Sequence, residues 1–311
     1  MTADTLTVHP VPSMGAEDVV VAPDGTVFTG TDDGAIWALD PATGSTRRVA
    51  DTGGRPLGIE LLPDGDLLVC DAKRGVLRVS PANGVVGVLV GEVDGEPMAF
   101  CNNAAVAVDG TIWFSDSSLH HGIEQWKDDF VRHTRTGRLL RRDPDGSVDV
   151  VLTGLAFANG VALSADESYV AVAECRGRTV VRLWLTGPRA GERDHLVTDL
   201  PGYPDNISQG SDGLIWVAVA SPVDGIVERL GTAPMLLRRA VTRIPEALQP
   251  KPARTIRVQA YGDDGRLVHD IDLPGPERGP GYHMVTGVRE HDGRLWLGSL
   301  HEPAVAVVDR P

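Results

Sequence analysis

Cysteine is scarce in this chain, positive charge is outnumbered, and no apolar stretch runs long. The three cysteines, Cys70, Cys101 and Cys175, are odd in number and far apart. That speaks against a disulfide framework or a zinc site and fits a reducing compartment. Lys and Arg total 29 against 43 Asp and Glu, a formal charge of -14. Such a surface repels nucleic acid and anionic membrane, so neither is an expected partner. The opening Met1-Thr2-Ala3-Asp4-Thr5-Leu6 has no basic segment leading into an apolar run, and nothing later is long enough to span a bilayer. A soluble, cytoplasmic protein acting on a small molecule is the expectation. Oligomeric state is not legible.

The chain is rich instead in turn formers, with 36 Gly and 22 Pro, which favours short strands over long helices. Six turns are similarly worded: Pro23-Asp24-Gly25, Pro63-Asp64-Gly65, Val108-Asp109-Gly110, Ala165-Asp166-Glu167, Ser211-Asp212-Gly213 and His291-Asp292-Gly293. β-prone runs follow them, such as Thr111-Ile112-Trp113-Phe114-Ser115 and Leu214-Ile215-Trp216-Val217-Ala218. Asp-Gly between such runs marks a hairpin, because glycine supplies the positive φ of a tight turn. Successive turn aspartates lie 40, 45, 57, 46 and 80 residues apart (64−24, 109−64, 166−109, 212−166, 292−212). Repeats of that length with four strands apiece predict an all-β, six-bladed β-propeller spanning 1–311 as a single domain. Two spacings are too long, so insertions are expected at about 119–136 and 222–251, the second helical. Loops of that size serve as lids or specificity elements. Trp37, Trp113, Trp184, Trp216 and Trp296 recur in the strands and read as packing between blades.

Seven residues before each turn aspartate stand Glu17, Leu57, Asn102, Asn159, Asp205 and Val285 (24−17, 64−57, 109−102, 166−159, 212−205, 292−285). In a radial array one register position per blade converges on the axis. Glu17, Asn102, Asn159 and Asp205 then meet as oxygen donors, a set suited to Ca²⁺, although other divalent cations accept the same donors. Asn103 and Asn206, one position further on, either add ligands or orient them. Leu57 and Val285 form the dry wall of the pocket. His283, two residues before the sixth axial position, is a candidate general base or an ordinary surface histidine. Asp71 either faces the channel or caps the next turn. His120, His121 and Trp126 of the first insertion are candidate substrate contacts, with solvated loop histidines the alternative.

Several of these segments also carry a family resemblance. Gly15-Ala16-Glu17-Asp18, Phe100-Cys101-Asn102-Asn103, Asn159-Gly160-Val161-Ala162-Leu163-Ser164 and Pro204-Asp205-Asn206-Ile207 resemble the strictosidine synthase-like proteins. That group is similar to the paraoxonases and to the senescence marker protein/gluconolactonase family, all six-bladed propellers. The resemblance implies a catalytic Ca²⁺ on Glu17, Asn102, Asn159 and Asp205, with Asn206 beside them. It also implies that Asp205 activates water or attacks directly. Two positions depart from the specialised members. Strictosidine synthase carries an essential glutamate where Val285 stands, and paraoxonases carry a catalytic histidine where Leu57 stands. The implied activity is therefore metal-dependent hydrolysis of lactones or esters. Strictosidine synthase-like bond formation in secondary metabolism and a non-catalytic binding propeller are the alternatives.

Overall fold

Five of the six turn aspartates organise their hairpins by accepting backbone N–H bonds at the turn, as Asp109 Oδ1 does from Thr111 N at 2.8 Å. Gly110 next to it takes φ 88, which a residue with a Cβ adopts only under strain. In the computed structural model, which describes residues 6–242, 244, 253–274 and 281–311, these hairpins build six four-stranded antiparallel sheets. They form the blades of a propeller. Their innermost strands are Val19–Val21, Pro56–Leu61, Cys101–Val106, Ala158–Leu163, Gly202–Gln209 and Val285–His291. Five blades are continuous in sequence. The sixth takes three strands from Val285–Asp309 and its outer strand, Thr7–Pro10, from the other end of the chain, with Thr7 opposite Val307.

Hydrophobic surfaces of adjacent blades pack on each other, as Phe28 and Ile36 of blade 1 do on Ile59, Val69 and Leu77 of blade 2. Trp113, Trp216 and Trp296 are buried in such layers. Trp37 and Trp184 are only half-buried. Trp184 packs against the rim of the layer between blades 4 and 5, with the guanidinium groups of Arg182 and Arg189 at 4.3 and 4.7 Å from its ring centre.

Both long spacings contain helices. The first insertion, expected as a loop, holds α1 (Trp126–Arg132) between two strands of blade 3. The second holds α2 (Gly225–Thr232) and α3 (Met235–Val241) in blade 5; its residues 243 and 245–251 lie outside the described set. Asp224 caps α2 by accepting from Ile226 N and Val227 N at 2.7 and 3.1 Å. The buried Arg176, from blade 4, fastens this cap. It donates to the Phe130 carbonyl of α1 at 3.2 Å, and to Val227 O and Glu228 Oε1 of α2 at 2.9 and 2.7 Å. Among the described residues no helix is long and apolar enough to cross a membrane.

Near its head, each inner strand of blades 2–6 carries a bulge. In blade 3, Cys101 pairs with Asp116 and Ala104 with Phe114, so one extra residue is accommodated. The same irregularity follows Pro56, Ala158, Pro204 and Val285. The inner-strand residue just beyond the axial one alternates around the ring: Asp18, Gly58, Asn103, Gly160, Asn206, Gly287. Each glycine makes room for the polar residue of the next blade. A Cβ on Gly58 would lie 2.6 Å from Asn103 Nδ2, one on Gly287 2.6 Å from Asp18 Oδ1, and one on Gly160 would collide with Ile207 N. Gly160→Ala is therefore expected to destabilise the protein by roughly 1–3 kcal/mol or more, as overpacking does. The exposed strand glycine Gly87, with no atom within 4 Å of where a Cβ would stand, should accept alanine within about 0.5 kcal/mol. Urea unfolding of the two variants checks this, and equal midpoints would refute the close-approach argument.

Candidate functional site

The axial side chains of the first five blades meet around one cavity. Glu17, Leu57, Asn102, Asn159 and Asp205 all line this space of about 210 Å³. Val285 does not. It is fully buried in the hydrophobic layer between blades 5 and 6, and Thr286 takes the cavity position. The reason is loop length. In blade 6, His291 pairs directly with Arg294, leaving a two-residue turn, whereas Pro23–Gly25 spans three residues between Ala22 and Thr26. Counting six back from the first loop residue instead gives 23−17, 63−57, 108−102, 165−159, 211−205 and 292−286. The aspartate of the sixth turn sits one place earlier, so the count of seven slips by one.

The same slip accounts for His283. Two positions before the axial residues stand Phe100, Phe157, Tyr203 and, in blade 6, Met284, and all four line the cavity. His283 stays outside it, with Nδ1 2.5 Å from Glu302 Oε1 and 3.3 Å from Arg254 Nη2. Asp71 is likewise not on the wall. Its Oδ1 accepts from Arg55 N, Lys73 N and Arg74 N at 3.0, 2.9 and 3.1 Å, the capping alternative. His120 is exposed. His121 is buried but turned toward Asp129, at 3.4 Å; Ser118 Oγ accepts from the backbone N–H groups of His120 and His121 and donates to Asp129 Oδ2, which folds the loop back on α1. Trp126 does reach the cavity.

The donor oxygens at the cavity floor are underused. Asn102 Nδ2 donates to Ser117 Oγ at 3.0 Å, Asn159 Nδ2 to Cys175 Sγ at 3.3 Å, and Asn206 Nδ2 to Glu17 Oε1 at 3.1 Å. Yet Glu17 Oε2, Asn102 Oδ1, Asn159 Oδ1 and Asn206 Oδ1, all buried, have no hydrogen-bond partner among the described residues. Buried polar atoms are ordinarily satisfied, so the orphaned oxygens of Glu17, Asn102 and Asn159 around one cavity, with Asn206 bonded to Glu17 behind them, form a set that fits a hard divalent cation. Asn103 does not belong to it. Its Oδ1 accepts from Val161 N at 2.9 Å and its Nδ2 donates to Asp18 Oδ2 at 3.2 Å, so it braces the ring. Among the described residues no three His, Cys, Asp or Glu side chains group for a metal. Amide oxygens complete this set instead.

Electrostatics agree with that reading. Burial holds the Glu17 carboxyl well above the usual range, and the Asp205 and Asp18 charges add to it, while Arg55 opposes. Asp205 is surrounded by protein yet keeps partial exposure to the cavity, and burial pushes it up to about 7, with the Asn159 hydrogen bond opposing. Carboxylates so placed gain from a cation. Above them the walls are apolar and aromatic. Phe130 of α1 packs edge-on against Phe157 and Tyr203, with ring centres 5.9 and 4.9 Å away, and Phe100 against Phe157 at 5.4 Å. The chain has only 5 Phe, and three of them line this cavity. The offset of two from the axial register was the signal that would have found the wall.

Residues 27–240 match the family described as SMP-30/gluconolactonase/LRE-like region, and residues 10–39 match the strictosidine synthase-like N-terminal region. Strictosidine synthase-like protein 10 of Arabidopsis thaliana is 35% identical over 268 residues, covering 82% of this chain and 70% of its own. A gluconolactonase from Xanthomonas campestris superposes with a TM-score of 0.71 at 18% identity, covering 99% of this chain and 90% of its own. Regucalcin from Agrobacterium tumefaciens, described as a calcium-binding protein, superposes at 0.67 with 15% identity, covering 97% and 92%. Those two likenesses establish the fold. A six-bladed propeller with this axial ring, matched over most of its length, belongs to the SMP-30/gluconolactonase/LRE-like family and has strictosidine synthase-like proteins among its relatives.

Proposed function

We propose that the protein is a calcium-dependent hydrolase of lactones or esters. The observation that carries the reading is the convergence of unpartnered oxygens from Glu17, Asn102 and Asn159 on the floor of a cavity that also exposes Asp205. Glu17, Asn102, Asn159 and Asp205 would hold the cation, with Asn206 close behind. When bound there, Ca²⁺ supplies Lewis acidity toward a carbonyl oxygen. The name of the gluconolactonase and the calcium binding of regucalcin support the same reading.

The residues of the chain do the rest. Phe100, Phe157 and Tyr203 grip the apolar body of the substrate and exclude water from the floor, where electrostatic stabilisation is strongest. Asp205 is the group that accepts a proton from the attacking water at its carboxylate, since it lines the cavity floor and keeps partial exposure to it. The cap of α1 and α2 orients the ligand from above, held by Arg176. A strictosidine synthase-like bond-forming reaction is the second reading, favoured by the 35% identical relative. Against it, the axial position of blade 6 holds Thr286, whose Oγ1 donates to Glu17 O at 2.8 Å, and not an acid.

A panel of aryl esters and lactones assayed in EDTA and in calcium tests the proposal. Turnover lost on chelation and restored by Ca²⁺ is the expected result. Turnover indifferent to EDTA would remove the metal from the reaction, and no turnover of any substrate would favour the second reading or a binding role.

A further inference from the structure

Two side chains outside the cation set share one geometry that the proposed reaction leaves unexplained. Ser117 and Cys175 each follow the acid that ends the second strand of a blade, Asp116 and Glu174. Both are buried. Ser117 Oγ donates to the Ala158 carbonyl at 2.6 Å, and Cys175 Sγ donates to the Pro204 carbonyl. Those carbonyls belong to the residues just before Asn159 and Asp205, on the neighbouring blade. A hydroxyl or thiol has a single hydrogen. With it committed to the carbonyl, each group can only accept toward the axis, and it accepts Nδ2 of Asn102 or Asn159 at 3.0 or 3.3 Å. A flipped amide would set its oxygen against a lone pair and turn NH₂ toward the cation. The corresponding residue of blade 2 is Ala72, and there the axial residue is Leu57, which has no amide to orient.

We infer that Ser117 and Cys175 are positioning residues that lock the amides of Asn102 and Asn159 with their oxygens toward the axis. The inference rests on the cation reading above. Partners that orient a metal ligand are commonly worth about 10–100-fold in affinity. Ser117→Ala and Cys175→Ala should therefore each weaken Ca²⁺ binding, measured calorimetrically on the full chain, by about that factor. Cys175→Ser and Ser117→Cys, which keep one donor and one acceptor, should stay within about threefold of the parent. The separating experiment uses Asn159→Asp, because a carboxylate presents an oxygen in either orientation. In that background Cys175→Ala should change calcium affinity by less than about threefold, a coupling that loss of packing would not produce. Equal weakening by Cys175→Ala in both backgrounds, or alanine variants that bind as tightly as the parent, would overturn the assignment. Failure of the unsubstituted protein to bind calcium would overturn the cation reading itself, and is seen before any variant is made.

Discussion

Asp205→Asn is expected to lower turnover of an ester or lactone by about 10²–10⁴-fold, the usual worth of a positioned acid or base. Calcium should remain bound, because asparagine keeps an oxygen donor at the same place and loses only the capacity to take a proton. The two readouts separate the roles of this side chain. Loss of binding with loss of turnover would make it a ligand alone. Full turnover by a variant that still binds metal would remove Asp205 from the chemistry. The rate of the parent should rise with pH as the carboxyl ionises. A bound cation favours the ionised form, so the rising limb should lie below the value of about 7 that the protein sets, chiefly through burial, without one.

The second large effect is on stability, and its sign depends on whether calcium is present. Without a cation, the carboxyls of Glu17 and Asp205 are held above their usual values, chiefly by burial. Between the unfolded value, about 4, and the folded one the native state binds more protons than the unfolded chain. The Asp205 contribution is therefore complete in acid and is lost as pH climbs through about 7, and the raised Glu17 carboxyl acts in the same sense. Calcium competes with those protons, so its stabilisation grows over the same interval. At 100–1,000 times its dissociation constant a ligand adds roughly 3–4 kcal/mol. For a chain of this size that is on the order of 5–10 °C in Tm. The melting temperature in calcium should thus exceed that in EDTA by several degrees at pH 8, and the gap should narrow at pH 5. Asp24, Asp109 and Asp166 are held low by hydrogen bonds at their turns, so they weaken the fold on acidification. They do so in both buffers and cancel in the difference. A gap that is absent at pH 8, or wider at pH 5, would contradict the ring of ligands.

Much of this was readable from the chain because a hairpin ties a strand position to its loop. Once the loop begins, the residue six places earlier is fixed at the head of the inner strand, and Glu17, Leu57, Asn102, Asn159 and Asp205 follow. The reading failed where it leaned on the aspartate and not on the start of the loop. A turn one residue shorter in blade 6 moved Thr286 and Met284 into the places assigned to Val285 and His283. Other errors have a different origin. Asp71 sits at a strand end where it braces backbone, and only cross-strand geometry separates bracing from facing a channel. Ser117 and Cys175 act across a blade boundary, where no local spacing joins Cys175 to Pro204. The cap of α1, α2 and α3 was half legible. The apolar period of the second insertion shows a helix, but nothing in it says which blade Arg176 will fasten it to.

The seam in blade 6 has a mechanical consequence. Thr7–Pro10 and Ala304–Asp309 pair across nearly the whole length of the chain, so closing the ring carries a larger loop-closure cost than any hairpin within a blade. Until then Ala304–Asp309 presents a bare edge able to recruit a strand from another molecule. A nick that frees residues 6–10 would leave the axial side chains in place and still bare that edge, so clumping is the expected result.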